Sequence, residues 1–266
     1  MKRTIAISVT GIIALYALLM AVPAYANHSW GGYHWARTAN PFTLKLGDNV
    51  SFAWDAHLSV ASGDWSASSV LDTAVVKGVS NPKNCRASSG RVEVCNSKYG
   101  NNGWLGIATV WVSGSHITQG TVKLNDTYFN TARYNTPAWR QFVACQEIGH
   151  TFGLDHQDEA FGNPNLGTCM DYTNDPSGTL YNQLSNEHPN THDYDQLASV
   201  YTHFDTFTTV SKTSAASGAV SADNIDTSNA SEWGKAIRTS RDGRSPLYVR
   251  DMGNGQKIFT FVIWAD

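Results

Sequence analysis

The chain has 266 residues, of which 41% are hydrophobic and 15% charged. That balance excludes a disordered polymer and allows one sizeable domain plus a small extra piece. The formal charge of −3 is mildly acidic, which argues against nucleic acid or an anionic membrane as the main partner.

The first residues carry an export pattern. Lys2 and Arg3 precede a mostly apolar run over residues 5–22, and Ala24-Tyr25-Ala26 follows it directly. A positive start, an apolar stretch too short for a comfortable membrane span and a small-residue cleavage site together predict a signal peptide over residues 1–26. The mature chain is then expected to begin near Asn27, outside the cytoplasm and without a membrane anchor. Losing its two basic residues takes the charge from −3 to −5.

Residues 33–48 alternate and end in Leu46-Gly47-Asp48, which predicts a first strand and turn. Residues 68–78 fit a short helix or a strand, and periodicity does not decide between them. Residues 97–103 form a Gly/Asn-rich loop. Residues 105–112, rich in β-branched side chains, predict a strand, and 118–124 a second one ended by Asn125-Asp126. Thr136-Pro137 predicts a helix start, with Thr as N-cap and Pro in the first turn. Trp139, Phe142, Val143 and Ile148 then follow at helical spacing.

Polar residues rich in Gly, Asn and Pro predict loop over 157–190. A last helix is expected from Asn190 or Thr191 to about His203, with Tyr194, Leu197, Ala198, Tyr201 and Phe204 as its apolar face. Residues 206–231 are rich in Ser, Thr and Ala and read as a linker. In the final segment, 232–266, two strands over 247–251 and 257–264 flank Met252-Gly253-Asn254-Gly255-Gln256, a hairpin signal. A hairpin alone is marginal in water, so it is expected to complete the core of the main domain.

The four cysteines are Cys85, Cys95, Cys145 and Cys169. An even number in an exported chain predicts two disulfides, with three possible pairings. Cys85–Cys95 is favoured because it closes a short loop. Cys145–Cys169 would tie the helix to the turn carrying Met170. No C-x-x-C pair suggests a thiolate zinc site.

The chemistry lies at residues 146–156, Gln-Glu-Ile-Gly-His-Thr-Phe-Gly-Leu-Asp-His. Positions 146 and 150 are one helical turn apart and project from one face. Glu147 stands beside them, placed to act as general base on water. Gly153 permits the chain reversal that brings His156 back toward the helix. Two ligands on a helix and one from a turn leave an open position, which is the catalytic type of zinc site. The motif expected of such a site is H-E-x-x-H extended by x-x-G-x-x-H and a Met-containing turn. Every position fits except the first, where Gln146 replaces His.

Through Glu147, His150, Gly153, His156 and the run Cys169-Met170-Asp171-Tyr172, the chain resembles the metzincin clan of zinc endopeptidases, most nearly its matrixin-like branch. The resemblance covers about residues 30–205 and is strongest over 136–172. It implies an α+β zincin domain over 27–205, a twisted mixed sheet with an active-site helix and a C-terminal helix. It implies a Zn²⁺ held by His150, His156 and possibly Gln146, with Met170 beneath and Tyr172 beside the metal or the oxyanion. It also implies that Leu105, Gly106, Ile107 and Ala108 form an edge strand that holds an extended peptide substrate by strand addition. No cysteine-switch segment of the matrixin kind is visible.

Gln146 leaves three readings open. Its neutral side-chain oxygen ligates and the enzyme is active; the site holds a weaker or different metal; or the fold persists as an inactive secreted binding protein. The functional expectation is a secreted, monomeric zinc endopeptidase acting on protein or peptide.

Other features read more plainly. Asp155, Asp158, Glu159, Asp171 and Asp175 make a Ca²⁺ site conceivable, but no EF-hand loop is present and solvated carboxylates are the better reading. His188 and His192 flank the cap of the last helix and are read as cap or surface residues, not as the missing ligand. His28, His34, His57, His116 and His203 are read as ordinary surface or core residues. Asn27, Asn49, Asn125 and Asn229 begin N-x-[ST] sequons.

Overall fold

Nine strands make one mixed sheet in the computed structural model, which describes residues 27–210, 225–239, 244 and 246–265. The signal-peptide expectation lies outside these residues, as does most of the expected linker. In chain order the strands are β1 (His34–Trp35), β2 (Phe42–Asn49), β3 (Leu71–Lys77), β4 (Val92–Ser97), β5 (Trp104–Ser113), β6 (His116–Asn125), β7 (Lys235–Ala236), β8 (Leu247–Gly253) and β9 (Gln256–Trp264). The helices are α1 (Phe52–Trp65), the single turn α2 (Asp126–Phe129), α3 (Pro137–His150) and α4 (Thr191–Val200).

The order across the sheet is β3-β2-β4-β6-β5-β9-β8-β7, with β1 also pairing β6. β1, β2, β3, β4 and β6 pair in parallel, and β5, β7, β8 and β9 are antiparallel to their neighbours. The α+β class expected from the sequence therefore holds.

α1 packs over β2 and β3, and α3 over β5, β6 and β9. Strand period two sets which side chains meet these helices. Ala108, Val110 and Val112 of β5, with Phe259, Phe261 and Ile263 of β9, enter the main core. Ile107 and Val262 join a second cluster around Trp104 and Trp233.

Several expected elements fall in place. The undecided segment at 68–78 is β3. Thr136 accepts a hydrogen bond from the Trp139 N–H, with Pro137 in the first turn of α3. α4 opens with a full capping box between Asn190 and Asp193. It ends at Val200, leaving Phe204 and Ala198 exposed instead of on an apolar face. Both favoured disulfides form, Cys85–Cys95 and Cys145–Cys169. Among the described residues no helix is long and apolar enough to cross a membrane.

Two expectations need correction. The single strand read over 33–48 is two strands, β1 and β2, which pair with different neighbours; Pro41, which has no N–H to give a ladder, lies between them. The hairpin at 232–266 completes the core of the main domain as expected, because β9 runs the length of β5 as the next strand of the main sheet. For that reason Leu105, Gly106, Ile107 and Ala108 do not form an open edge. Gly106 pairs with Leu124 on one side and Ile263 on the other, and Ala108 with Val122 and Phe261.

Two of the four sequons are also closed in the fold. Asn49 is buried and donates to the Glu93 carboxylate, and Asn125 is buried and caps α2.

Helix α1 was not apparent in the sequence. Trp54, Leu58, Ala61 and Trp65 form its buried stripe, while Phe52 and Val60 point outward and blur the pattern. Gly63 sits on its exposed side with open space around it and an ordinary helical backbone. Gly63→Ala is expected to raise stability by about 0.5–1 kcal/mol through helix propensity, read as a higher denaturant midpoint with an unchanged slope.

Candidate metal centre

Helix α3 delivers Gln146, Glu147 and His150 to the interior, all fully buried. The end of this helix is tied down by indoles. The last carbonyls of a helix have no partner within it. Here Trp30 Nε1 donates to the His150 carbonyl at 3.1 Å, and Trp35 Nε1 to the Thr151 carbonyl at 2.9 Å. The Tyr201 hydroxyl donates to the Phe152 carbonyl at 2.9 Å.

Gly153 then reverses the chain at φ +101°, and a Cβ there would lie 2.4 Å from the Tyr33 carbonyl oxygen. Only glycine fits both the backbone angle and the contact. The reversal returns His156 to His150, with ring centroids 4.5 Å apart and nearly perpendicular.

Each imidazole is oriented through its Nδ1. His150 Nδ1 lies 2.9 Å from the Leu154 carbonyl oxygen, so Nδ1 carries the proton. His156 Nδ1 lies 3.2 Å from the Glu159 carboxylate, which sets the same tautomer. Both Nε2 atoms are buried and have no hydrogen-bond partner among the described residues. Burial first, and the neighbouring His156 second, hold the His150 pKa well below its ordinary value, so the ring is neutral with its lone pair free. Fixing one ring nitrogen by a carbonyl or carboxylate and freeing the other is how proteins orient imidazole ligands.

The remaining polar atoms are also orphaned. Gln146 Oε1 and Nε2 and both Glu147 oxygens are buried without a partner among the described residues. Burial pushes the Glu147 carboxyl well above its usual range; the Ile263 and Ala108 backbones oppose this, but neither reaches hydrogen-bond geometry. Gly106 makes room for this carboxylate, since a Cβ there would lie 2.7 Å from Glu147 Oε1. Such a set of unpaired donors and acceptors fits a divalent metal held by the two Nε2 atoms, with Gln146 Oε1 as the third oxygen or nitrogen donor.

Met170 lies beneath the helix, fully buried. A Cβ on Gly149 would meet its sulfur at 2.7 Å and the Trp65 ring at 2.7 Å, so Gly149 sets the close approach. Tyr172 packs on His156 with centroids 4.4 Å apart. The Cys145–Cys169 bridge ties this turn to α3 beside Gln146.

β9 supplies residues that sequence reasoning missed. The Phe261 ring stacks on His150 at 4.1 Å and 12°. The Tyr172 hydroxyl donates to the Val262 carbonyl at 3.0 Å. The alternation of β9 marks Phe261 as inward-facing, but nothing in the sequence says which strand β9 will pair with. Arg238 was also missed; it bonds Asp155 at 2.6 Å and lies 3.3 Å from Glu159, holding the carboxylate that orients His156.

Of the acidic residues weighed for calcium, Asp155 and Glu159 converge with His156, their ligand atoms all within 4.8 Å of one another. Asp155 and Glu159 serve Arg238 and His156. Asp158 accepts from the Ala160 N–H, Asp171 from Leu166 and Asn186, and Asp175 from Leu180 and Tyr181. His188 is an exposed partner of Asp64, and His192 stacks on His28 near the α4 cap.

No known family model matches this chain, and no curated protein matches it.

Gly153→Ala is expected to cost about 1–3 kcal/mol from backbone strain alone. Equilibrium unfolding measures it, and a cost below that of an ordinary surface substitution would contradict the turn geometry.

Proposed function

We propose that the protein is an exported zinc-dependent endopeptidase of metzincin type, held closed by its own C-terminal strand. The observation that carries this reading is the pair of buried Nε2 lone pairs on His150 and His156, each fixed by its Nδ1 proton, with the Glu147 carboxyl beside them. His150, His156 and Gln146 Oε1 hold the metal. When bound, zinc supplies Lewis acidity that polarises a carbonyl and acidifies water.

The chain's own groups do the rest. Glu147 takes a proton from the attacking water and returns it to the leaving amine. Its buried position raises its basicity toward what that work needs. An extended peptide pairs antiparallel with β5 along Gly106 and Ala108, in the place now filled by β9. Tyr172, whose hydroxyl donates to the Val262 carbonyl in the closed form, then donates to a carbonyl of the substrate. Met170 and the Cys145–Cys169 bridge keep the ligand-bearing turn and helix in register.

The second reading is a catalytically silent secreted binding protein on the same fold. Gln146 favours it, because a neutral amide oxygen is a weaker zinc donor than imidazole.

Glu147→Ala is expected to lower kcat on a quenched peptide by roughly 10²–10⁴-fold while zinc content stays unchanged. Gln146→His is expected to tighten zinc binding in a competition titration; an unchanged affinity would remove Gln146 from the ligand set. Lys257→Pro in β9 takes from the ladder an N–H that faces β5, and one hydrogen bond is worth about 1 kcal/mol. It is therefore expected to raise peptidase activity several-fold, and Glu147→Ala is expected to abolish the gain. Zinc-loaded wild type and Lys257→Pro that are both inert toward a peptide library would support the silent reading.

A further inference from the structure

We propose that His34, His116, His203 and Asp205 form a second metal site, structural in character, of the class that takes zinc. It lies apart from the α3 site, at the end of the sheet where β1 meets β6. His34 and His116 are register partners on these adjacent parallel strands, so both imidazoles leave the sheet on one side. His203 and Asp205 come from the segment after α4, which is pinned by the Asp205 N–H donating to the Arg37 carbonyl at 2.9 Å.

Three of the side chains, His34, His116 and Asp205, converge, and His203 stands at their exposed flank. Asp205 Oδ1 lies 3.1 Å from His116 Nε2 and 3.8 Å from His203 Nε2, and Asp205 Oδ2 lies 3.5 Å from His34 Nε2. The ligand atoms of His34, His116 and Asp205 all lie within 4.8 Å of one another. Four donors around zinc at bonds of about 2.0–2.1 Å stand roughly 3.3 Å apart when tetrahedral. The observed spacings bracket that value.

A second observation points to a ligand. His34 is 3% exposed, and its Nε2 makes no hydrogen bond among the described residues. Its Nδ1 lies 2.9 Å from the Gly32 carbonyl oxygen, so the proton sits on Nδ1 and the Nε2 lone pair faces Asp205. Two acceptors, a lone pair and a carboxylate, then oppose each other at 3.5 Å. A cation between them removes that conflict.

Arg37 does not fill this role. Its guanidinium donates to the Tyr201 carbonyl and to Asn40, and stands 3.6 Å from Asp205 Oδ2. The Arg37 N–H also takes Oδ2, which leaves Oδ1 toward His116 and His203. Three imidazoles with one carboxylate suit a borderline ion such as zinc over calcium or magnesium, which take oxygen. His203, on the exposed side, gives the ion its path from solvent. A metal here ties the N-terminal segment, the β5–β6 turn and the tail of α4 together.

The test is the zinc content of full-length protein purified without chelator, for wild type and for His116→Ala, His203→Ala, His150→Ala and the double variant His116→Ala with His150→Ala. The expectation is about two ions in wild type, about one in His116→Ala and in His150→Ala, and none in the double variant. His203 is largely exposed, so His203→Ala keeps the fold while weakening the affinity for added zinc at least tenfold. A chelator is expected to lower the melting temperature of His150→Ala but not of the double variant. Unchanged zinc in both His116→Ala and His203→Ala overturns the proposal whatever the α3 site holds. Zinc kept in His150→Ala but lost in His116→Ala upholds it while removing zinc from the α3 site.

Discussion

Six polar atoms at the end of α3 are buried without a hydrogen bond among the described residues: both of Gln146, both of Glu147, and Nε2 of His150 and His156. A buried polar group left unpaired costs about 1–3 kcal/mol. A fold that keeps several in one place must over-determine their positions. The surrounding architecture does so. Three aromatic side chains satisfy the carbonyls at the end of α3, Gly149 admits Met170 against its underside, and the Cys145–Cys169 bridge closes the flank. The nine tryptophans of the chain are thus in part a means of holding one helix end still. Two imidazoles locked by their distal protons complete a set of donors that suits a metal better than it suits water.

The same burial depends on β9. Phe261 lies flat against His150, and the Val262 carbonyl accepts a hydrogen bond from the Tyr172 hydroxyl. Excluding water lowers the local dielectric and strengthens every charge interaction in the site. It is also why the Glu147 carboxyl titrates so far above its ordinary range, desolvation outweighing its backbone neighbours. A dry site favours proton transfer by Glu147, yet the strand that dries it lies where a peptide would add to β5. On the proposed reading, preorganisation and exclusion come from one element.

Much of this could be read from the residues, and the failures have definite causes. The Thr136-Pro137 start, the 146–156 spacing and the Gly153 reversal are local features, set by caps, helical period and backbone angle, and they appear where expected. Of the two disulfides, Cys85–Cys95 closes a short loop and Cys145–Cys169 ties α3 to the turn carrying Met170, as expected. Helix α1 was hidden because Phe52 and Val60 put apolar side chains on its outer face. The pairing of β9 with β5 is a contact across about 150 residues of chain, and strand alternation reports a face but never a partner. For the same reason His34, His116 and His203 were read as ordinary residues and Asp205 was not singled out, since the sheet and the tail of α4 bring them together.

On the proposed reading, closure by β9 has a further energetic consequence. A strand carried on the same chain meets β5 at an effective concentration of order millimolar when its linker spans the gap. A free peptide at micromolar concentration must therefore bind about 10³-fold more tightly than β9 to displace it, or roughly 4 kcal/mol. Few peptides would do so, because β9 also pairs with β8 along its other edge and inserts Phe259, Phe261 and Ile263 into the core. Opening is then best achieved by acting on the tether: a cut between β8 and the main domain leaves the strands in place but makes them free to leave. After that, dilution favours the substrate. A C-terminal hairpin fused to the sheet would in this way delay activity until another protease, or a second molecule of this one, has reached the intervening chain.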